Sequence, residues 1–183
     1  IEGSGKSHHI SRLANYLKRK KINFIKIREP GGSINSEKIR KVILSNKSTF
    51  NKNTDLLLYL AARNEHIKNK IKPALLKKKV VICDRFIDST IAYQHFGLGV
   101  DIKLIDTINK SLLKTFKVDF TFLNIVNKKN MIKRLKLRKS LNRYDKFDNS
   151  FYQKVQNGFI KLAKKNKKKY LIIDSNLDIN INK

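Results

Sequence analysis

Apolar residues recur along the chain in two alternating rhythms. From His8 to Lys20 they fall at Ile10, Leu13, Ala14 and Leu17, a spacing that predicts a helix with one buried stripe. Phe24 to Ile27 then reads as a short strand running into Arg28-Glu29-Pro30-Gly31-Gly32, a turn by composition. Helical spacing returns from Glu37 to Leu44 and from Asn53 to Leu76. Pro73 lies inside the second of these and predicts a kink or an end near Lys72, because its ring has no N–H to give. Val80-Val81-Ile82-Cys83 is a continuous β-branched run of the kind found in parallel strands buried on both faces. Asp101 to Thr115 predicts a helix, Phe120 to Ile125 a strand, and Lys128 to Lys139 a basic helix. Asn149 to Lys168 predicts a further helix and Tyr170 to Ile173 a last strand. Strand and helix alternating in this way predict an α/β fold, a parallel sheet covered by helices.

The chain has 183 residues, enough for one domain with a core, and shows neither repeats nor a linker. Its formal net charge of +28 could signal disorder, but the organised apolar runs exclude that. The excess is mostly lysine: 33 of the 42 basic residues are Lys and 9 are Arg. Asn and Ile are also abundant, and all three residue types share A/T-rich codons. A biased genome and a nucleic-acid surface are therefore both open as sources of the charge. The one dense run, Lys164 to Lys169, reads as a solvated helix end. No apolar stretch approaches the length of a membrane span. The single cysteine, Cys83, excludes an intrachain disulfide and suits a reducing compartment, so a cytoplasmic location is expected.

Two clusters carry chemistry. Ile1-Glu2-Gly3-Ser4-Gly5-Lys6-Ser7 contains the Gly-Lys-Ser end of a phosphate-binding loop, directly before a helix. Glycines let backbone N–H groups turn toward phosphate oxygens, and the helix N-terminus adds a favourable dipole. Lys6 would reach the outer phosphates and the Ser7 hydroxyl would ligate Mg²⁺. The leading Gly of the motif would fall just before Ile1, so the first strand is expected to be missing from the chain. Losing a central strand would leave the polypeptide as written with little activity. Asp84-Arg85 forms the second cluster, at the carboxyl end of the strand Val80 to Cys83. A carboxylate there faces the ligand crevice of a parallel sheet and can help hold Mg²⁺, while the guanidinium beside it suits phosphate oxygens. A salt bridge closing the strand is the plainer alternative. His8 and His9 point to different helix faces and do not make a metal pair. His66 and His95 have no evident partners and read as surface or packing residues.

Four segments together resemble the thymidylate kinase family. They are the loop Ile1 to Ser7, the turn Arg28 to Gly32, Tyr59-Leu60-Ala61-Ala62-Arg63, and Asp84-Arg85-Phe86-Ile87-Asp88-Ser89-Thr90-Ile91-Ala92-Tyr93-Gln94. Their order and spacing fit the family over nearly the whole chain. The resemblance implies a single domain over residues 1–183, with a three-layer α/β/α P-loop fold and a helical lid at 133–148. It implies phosphoryl transfer from ATP to dTMP, giving dTDP and ADP for dTTP synthesis, with Mg²⁺ as cofactor and a homodimer as the assembly. Another nucleoside monophosphate kinase, or a basic nucleic-acid-binding module, is the alternative.

The resemblance also distributes roles. Glu2, Gly3, Ser4, Gly5, Lys6, Ser7 and Arg138 would bind ATP, and Ser7 and Asp84 would hold the metal. Glu2 would also contact the dTMP sugar. Tyr59 would stack on thymine, although a core aromatic on a helix is the bland reading. Arg63 and Gln94 would hydrogen-bond the base, with Thr90 assisting. Arg40 and Arg85 would hold the dTMP phosphate, Arg28 and Glu29 would frame its pocket, and Tyr93 would pack near the ribose 2′ position. Lys6, Arg85 and Arg143 are the catalytic expectations. Arg143 lies in Asn142-Arg143-Tyr144-Asp145, which resembles the lid pattern of bacterial-type members. Arg134 reads instead as an exposed basic helix residue. The chain departs from the pattern at His8, where a Thr is usual, and at Asn142, where an acid is usual. Bringing the Arg residues into motifs leaves most of the Lys excess outside them, and nucleic-acid binding becomes a weak expectation.

Overall fold

The computed structural model describes residues 2–114, 116–137 and 143–177. Helix α1 spans Lys6–Arg19, strand β1 Phe24–Arg28, α2 Ile34–Leu44, α3 Lys52–His66, α4 Lys72–Leu76 and β2 Val80–Asp84. They are followed by α5 at Ile87–Thr90, α6 at Ile102–Leu112, β3 at Thr121–Ile125, α7 at Lys128–Lys136, α8 at Asn149–Lys165 and β4 at Tyr170–Asp174. Local chemistry explains the starts. Ser33 and Ser36 form a reciprocal capping box at α2. The Asn51 side chain accepts from the Asn53 and Thr54 amides at α3, and Asp148 accepts from the Phe151 amide at α8. Gly5 opens α1 in the left-handed region, at φ 76°, where a side chain would be strained.

Both strand pairs among the described residues are parallel, as the alternation predicts. Among the described residues the strands hydrogen-bond as two separate pairs rather than one continuous ladder. The β1–β2 pair runs from Phe24 opposite Val80 to Arg28 opposite Asp84. The β3–β4 pair runs from Thr121 opposite Tyr170 to Ile125 opposite Asp174. This register brings Arg28, Asp84 and the segments that follow them to one end of the sheet layer, where a crevice can form. One apolar cluster joins Ala92, Leu123, Val126, Met131 and the α8 residues Phe151, Val155 and Phe159. A second, formed by Leu56, Leu60, Val100 and Ile105, packs α3 on α6.

The expected kink in the Asn53–Leu76 stretch comes one turn before its expected place. The chain widens to a π-helical turn over Ile67–Ile71, and Pro73 then sits in the first turn of α4. The Lys72 amide bonds back to the Ile67 carbonyl, so the turn before Pro73 has already opened to admit its ring. A second π turn, Ile91–Gly97, continues from α5 and carries Tyr93 and Gln94 inward. The Lys164–Lys169 run is exposed throughout, as a solvated helix end. Among the described residues no helix is long and apolar enough to cross a membrane. Of the lid stretch, Arg138 to Asn142 lie outside the described residues; Arg143–Lys146 form a single 3₁₀ turn.

Candidate functional site

The loop Glu2–Ser7 is tied down from below by its carbonyls. The Ser4 carbonyl accepts from Asn124 Nδ2 at 3.1 Å and from the Ser175 hydroxyl at 2.8 Å. Arg134 donates to the Gly3 carbonyl at 3.0 Å and to the Ser175 carbonyl at 2.8 Å. Arg134 is therefore not the exposed helix residue its sequence context predicts. Its guanidinium spans the loop and the end of β4, because the first turns of α7 run under Gly3. With its carbonyls engaged below, the loop can turn N–H groups toward the crevice, ahead of the α1 N-terminus.

Above this floor opens a cavity of about 370 Å³. Glu2, Gly3, Ser4, Gly5, Lys6 and Ser7 line one wall, and Asp84 and Arg85 stand at the end of β2. Arg28, Glu29, Arg40, Tyr59, Arg63, Thr90, Tyr93 and Gln94 line the remainder, so four sequence-distant motifs converge on one space. Asp84 Oδ1 is buried there with no hydrogen-bond partner among the described residues. An orphaned carboxylate oxygen in a cavity that Ser7 and the phosphate loop also line suits a hard divalent cation. No group of three or more His, Cys, Asp or Glu among the described residues could hold a metal unaided. Such an ion would need phosphate oxygens from a ligand to complete its shell.

Arg85 is the charge centre. Its Nη2 donates to Glu2 Oε1 at 2.6 Å and its Nη1 to the Tyr93 hydroxyl at 3.3 Å, with the guanidinium 5.1 Å from the Tyr93 ring centre. Burial alone would lower its pKa, but Tyr93, Glu2 and Asp84 outweigh that and raise it, so the cation persists at any working pH. Arg85 also holds a left-handed backbone, φ 68°, which aims its side chain back over the loop. Arg40 donates to the Pro30 carbonyl at 2.6 Å, and Arg28, more exposed, reaches Glu37 at 3.3 Å. The Glu37 carboxyl is itself held below its ordinary value: burial pushes it up, and the Gly32 amide and Arg28 overcome that.

The far wall is a buried polar lattice. Arg63, 2% exposed, donates from Nε to Glu29 at 2.8 Å, from Nη1 to Asn109 at 2.9 Å and from Nη2 to the Thr90 hydroxyl at 2.8 Å. Phe86 lies under its guanidinium plane at 5.1 Å. Glu29 takes a second partner, His66 Nδ1, at 3.3 Å. His66 is wholly buried against this carboxylate, with the Nε2 end of its ring closed by Gly32, where any Cβ would collide with it. It is neither a surface residue nor simple packing. Tyr59 meets Tyr144 edge-on at 6.1 Å, and burial pushes its hydroxyl up to about 12.

A family model described as thymidylate kinase matches residues 1–183. The chain belongs to the thymidylate kinase family. It is 39% identical over 182 residues to the thymidylate kinase of Mycoplasma capricolum subsp. capricolum, covering 98% of this chain and 85% of that one. It is 44% identical over 165 residues to that of Wolbachia pipientis wMel, covering 89% and 81%. The crystal structure of thymidylate kinase from Ehrlichia chaffeensis superimposes with a TM-score of 0.77 at 36% identity, over 98% of this chain and 87% of that one. The fold is thus that of a P-loop nucleoside monophosphate kinase.

Seen as a thymidylate kinase, the chain brings nearly every expected site residue to the cavity. Arg143 is the exception: its guanidinium turns onto the buried carboxylate of Asp55 and onto the Tyr144 hydroxyl, while Tyr144 itself lines the cavity. Arg138 lies outside the described residues. Sequence reasoning missed Asp55, Tyr144, His66 and Asn109, which act through partners 37 to 89 residues away. The signal that could have found them is a charged or polar residue on an otherwise apolar helix face, as at Asp55 and His66 in α3.

Proposed function

We propose that this chain transfers the γ-phosphoryl group of ATP to dTMP, with the cavity's two walls dividing the substrates. The observation that carries the reading is the meeting of a phosphate loop with a buried wall of base-sized aromatic and amide groups in one 370 Å³ space. The Gly3–Ser7 loop cradles the donor phosphates, with Lys6 on the outer ones. Ser7 and Asp84 would hold Mg²⁺, which neutralises phosphate charge when bound, and the orphaned Asp84 oxygen supports this. Arg85 and Arg40 hold the acceptor phosphate, with Arg28 and Glu29 framing it. On ligand entry Arg85 exchanges its contact with Glu2 for the phosphate, which leaves Glu2 to the sugar. Tyr59 stacks on the base, and Gln94 and the Arg63–Thr90 pair read its edge. Tyr93 blocks the ribose 2′ side.

Catalysis here requires positioning and charge neutralisation rather than a covalent intermediate. Lys6 and Arg85 are the cations assigned to the transferring group. Arg143 is assigned first to holding Tyr144 over the base wall. We take the working form to be a cytoplasmic homodimer; light scattering tests the dimer and cell fractionation the location. The function is tested by a coupled assay with ATP and Mg²⁺ in which dTMP, dUMP, dCMP, AMP and GMP are exchanged. Turnover should be best with dTMP and should vanish with Lys6→Ala; equal rates across the nucleotides would refute the assignment.

A further inference from the structure

Asp55 is 1% exposed and lies in α3, one helical turn before Tyr59. Three donors converge on it. Tyr144 Oη donates to Oδ2 at 2.7 Å, Gln94 Nε2 donates to Oδ2 at 3.1 Å, and Arg143 Nη2 pairs with Oδ1. Gln94 Nε2 also lies 3.4 Å from the Tyr144 hydroxyl oxygen. Since that hydroxyl gives its own hydrogen to Asp55, it presents an acceptor to Gln94, as the carboxylate does. Both atoms facing Nε2 therefore demand a donor. A flipped Gln94 amide would press its carbonyl oxygen against a carboxylate in a buried site, where nothing screens the repulsion.

We infer that Asp55 is a positioning residue for base specificity: it locks the Gln94 amide so that Oε1 is the atom offered to the cavity. This rests on the proposed dTMP site. An acceptor there matches the imide N3–H of thymine. It opposes the bare N3 of a cytosine-type base, leaving two acceptors in contact and neither satisfied. Through Arg143 and Tyr144, the same carboxylate ties the 143–146 turn to the base wall. Selectivity and the docking of that turn thus share one buried anion.

The test compares dissociation constants for dTMP and for 5-methyl-dCMP by titration calorimetry, so it does not depend on turnover. The two ligands also differ at position 4, but that difference is common to every variant and cancels in the change of preference. Asp55→Asn can turn its own amide and let Gln94 flip. The preference for dTMP is expected to fall at least about tenfold. An equal loss of affinity for both ligands, with preference unchanged, would mark a merely structural residue and overturn the inference. If Asp55→Asn fails to fold, Tyr144→Phe removes one of the two acceptors facing Gln94, and preference is expected to fall about two- to fivefold; no change there overturns it equally. Gln94→Leu separates the underlying reading. If it leaves preference intact, Gln94 does not read the base and the site assignment fails with this inference. If it collapses preference while Asp55→Asn does not, the Asp55 inference alone is lost. An unaltered chain that binds neither nucleotide overturns both.

Discussion

Replacing Glu29 by Gln keeps the shape of the side chain and removes its charge. Arg63 then stays buried at 2% exposure with a neutral acceptor where its carboxylate stood, and His66 loses the anion 3.3 Å from its ring. Removing one partner of a buried pair costs about 3–5 kcal/mol, and the Gln carbonyl can still accept one hydrogen bond, so a loss of about 2–4 kcal/mol is expected. For a domain of this size each kcal/mol lowers the melting temperature by roughly 2–4 °C, so the shift should lie near 4–16 °C. Differential scanning calorimetry measures it directly. Arg63→Met provides the second arm: in the double variant no buried charge is orphaned, and stability should partly return above that of Glu29→Gln alone. A shift under about 1 °C, or a double variant no more stable than the single, would refute the view that the pair is a buried, mutually dependent unit.

Three further outcomes follow from the same geometry. Arg134→Met cuts the ties to the Gly3 and Ser175 carbonyls; with roughly 1.5–3 kcal/mol per charge-assisted bond, ATP affinity should fall at least about tenfold while dTMP affinity holds, and an unchanged ATP affinity would show that the loop needs no floor. Asp84→Ala should lower turnover at least about a hundredfold with only a modest change in unfolding temperature, since its buried Oδ1 has no hydrogen bond to lose and only its attraction to Arg85 is given up; a large thermal shift would return Asp84 to a structural role. Tyr59, pushed up to about 12 by burial, favours its protonated form in the folded state, so its contribution to stability is present below about pH 10 and is lost as pH rises through 12. Spectrophotometric titration of tyrosinate should therefore lose a component near pH 12 in Tyr59→Phe; loss of one near pH 10 would contradict the burial.

Local chemistry made much of this protein legible in its sequence. The helix after Gly5, the strand at Val80–Cys83 and the turn at Arg28–Gly32 follow from side-chain spacing and backbone constraints that act over a few residues; the burial expected of that strand is met only at Ile82, since Val80 is 41% exposed. The loop and Asp84-Arg85 pointed to phosphate chemistry from their own residues, and the resemblance of the Thr90–Gln94 block to thymidylate kinases supplied the nucleotide. What the sequence could not reveal were roles defined by a partner far along the chain. Asp55 is an unremarked acid on a helix until Gln94 and Tyr144 arrive from 39 and 89 residues away. Arg134 reads as a solvated helix cation until α7 passes beneath the loop, 131 residues from Gly3. His66 has no visible partner until β1 delivers Glu29 to it. Arg143, by its motif a group for the phosphates, is drawn to a buried anion instead. In each case a desolvated polar or charged group must find a hydrogen-bonding partner, and only the packed chain decides which one is within reach.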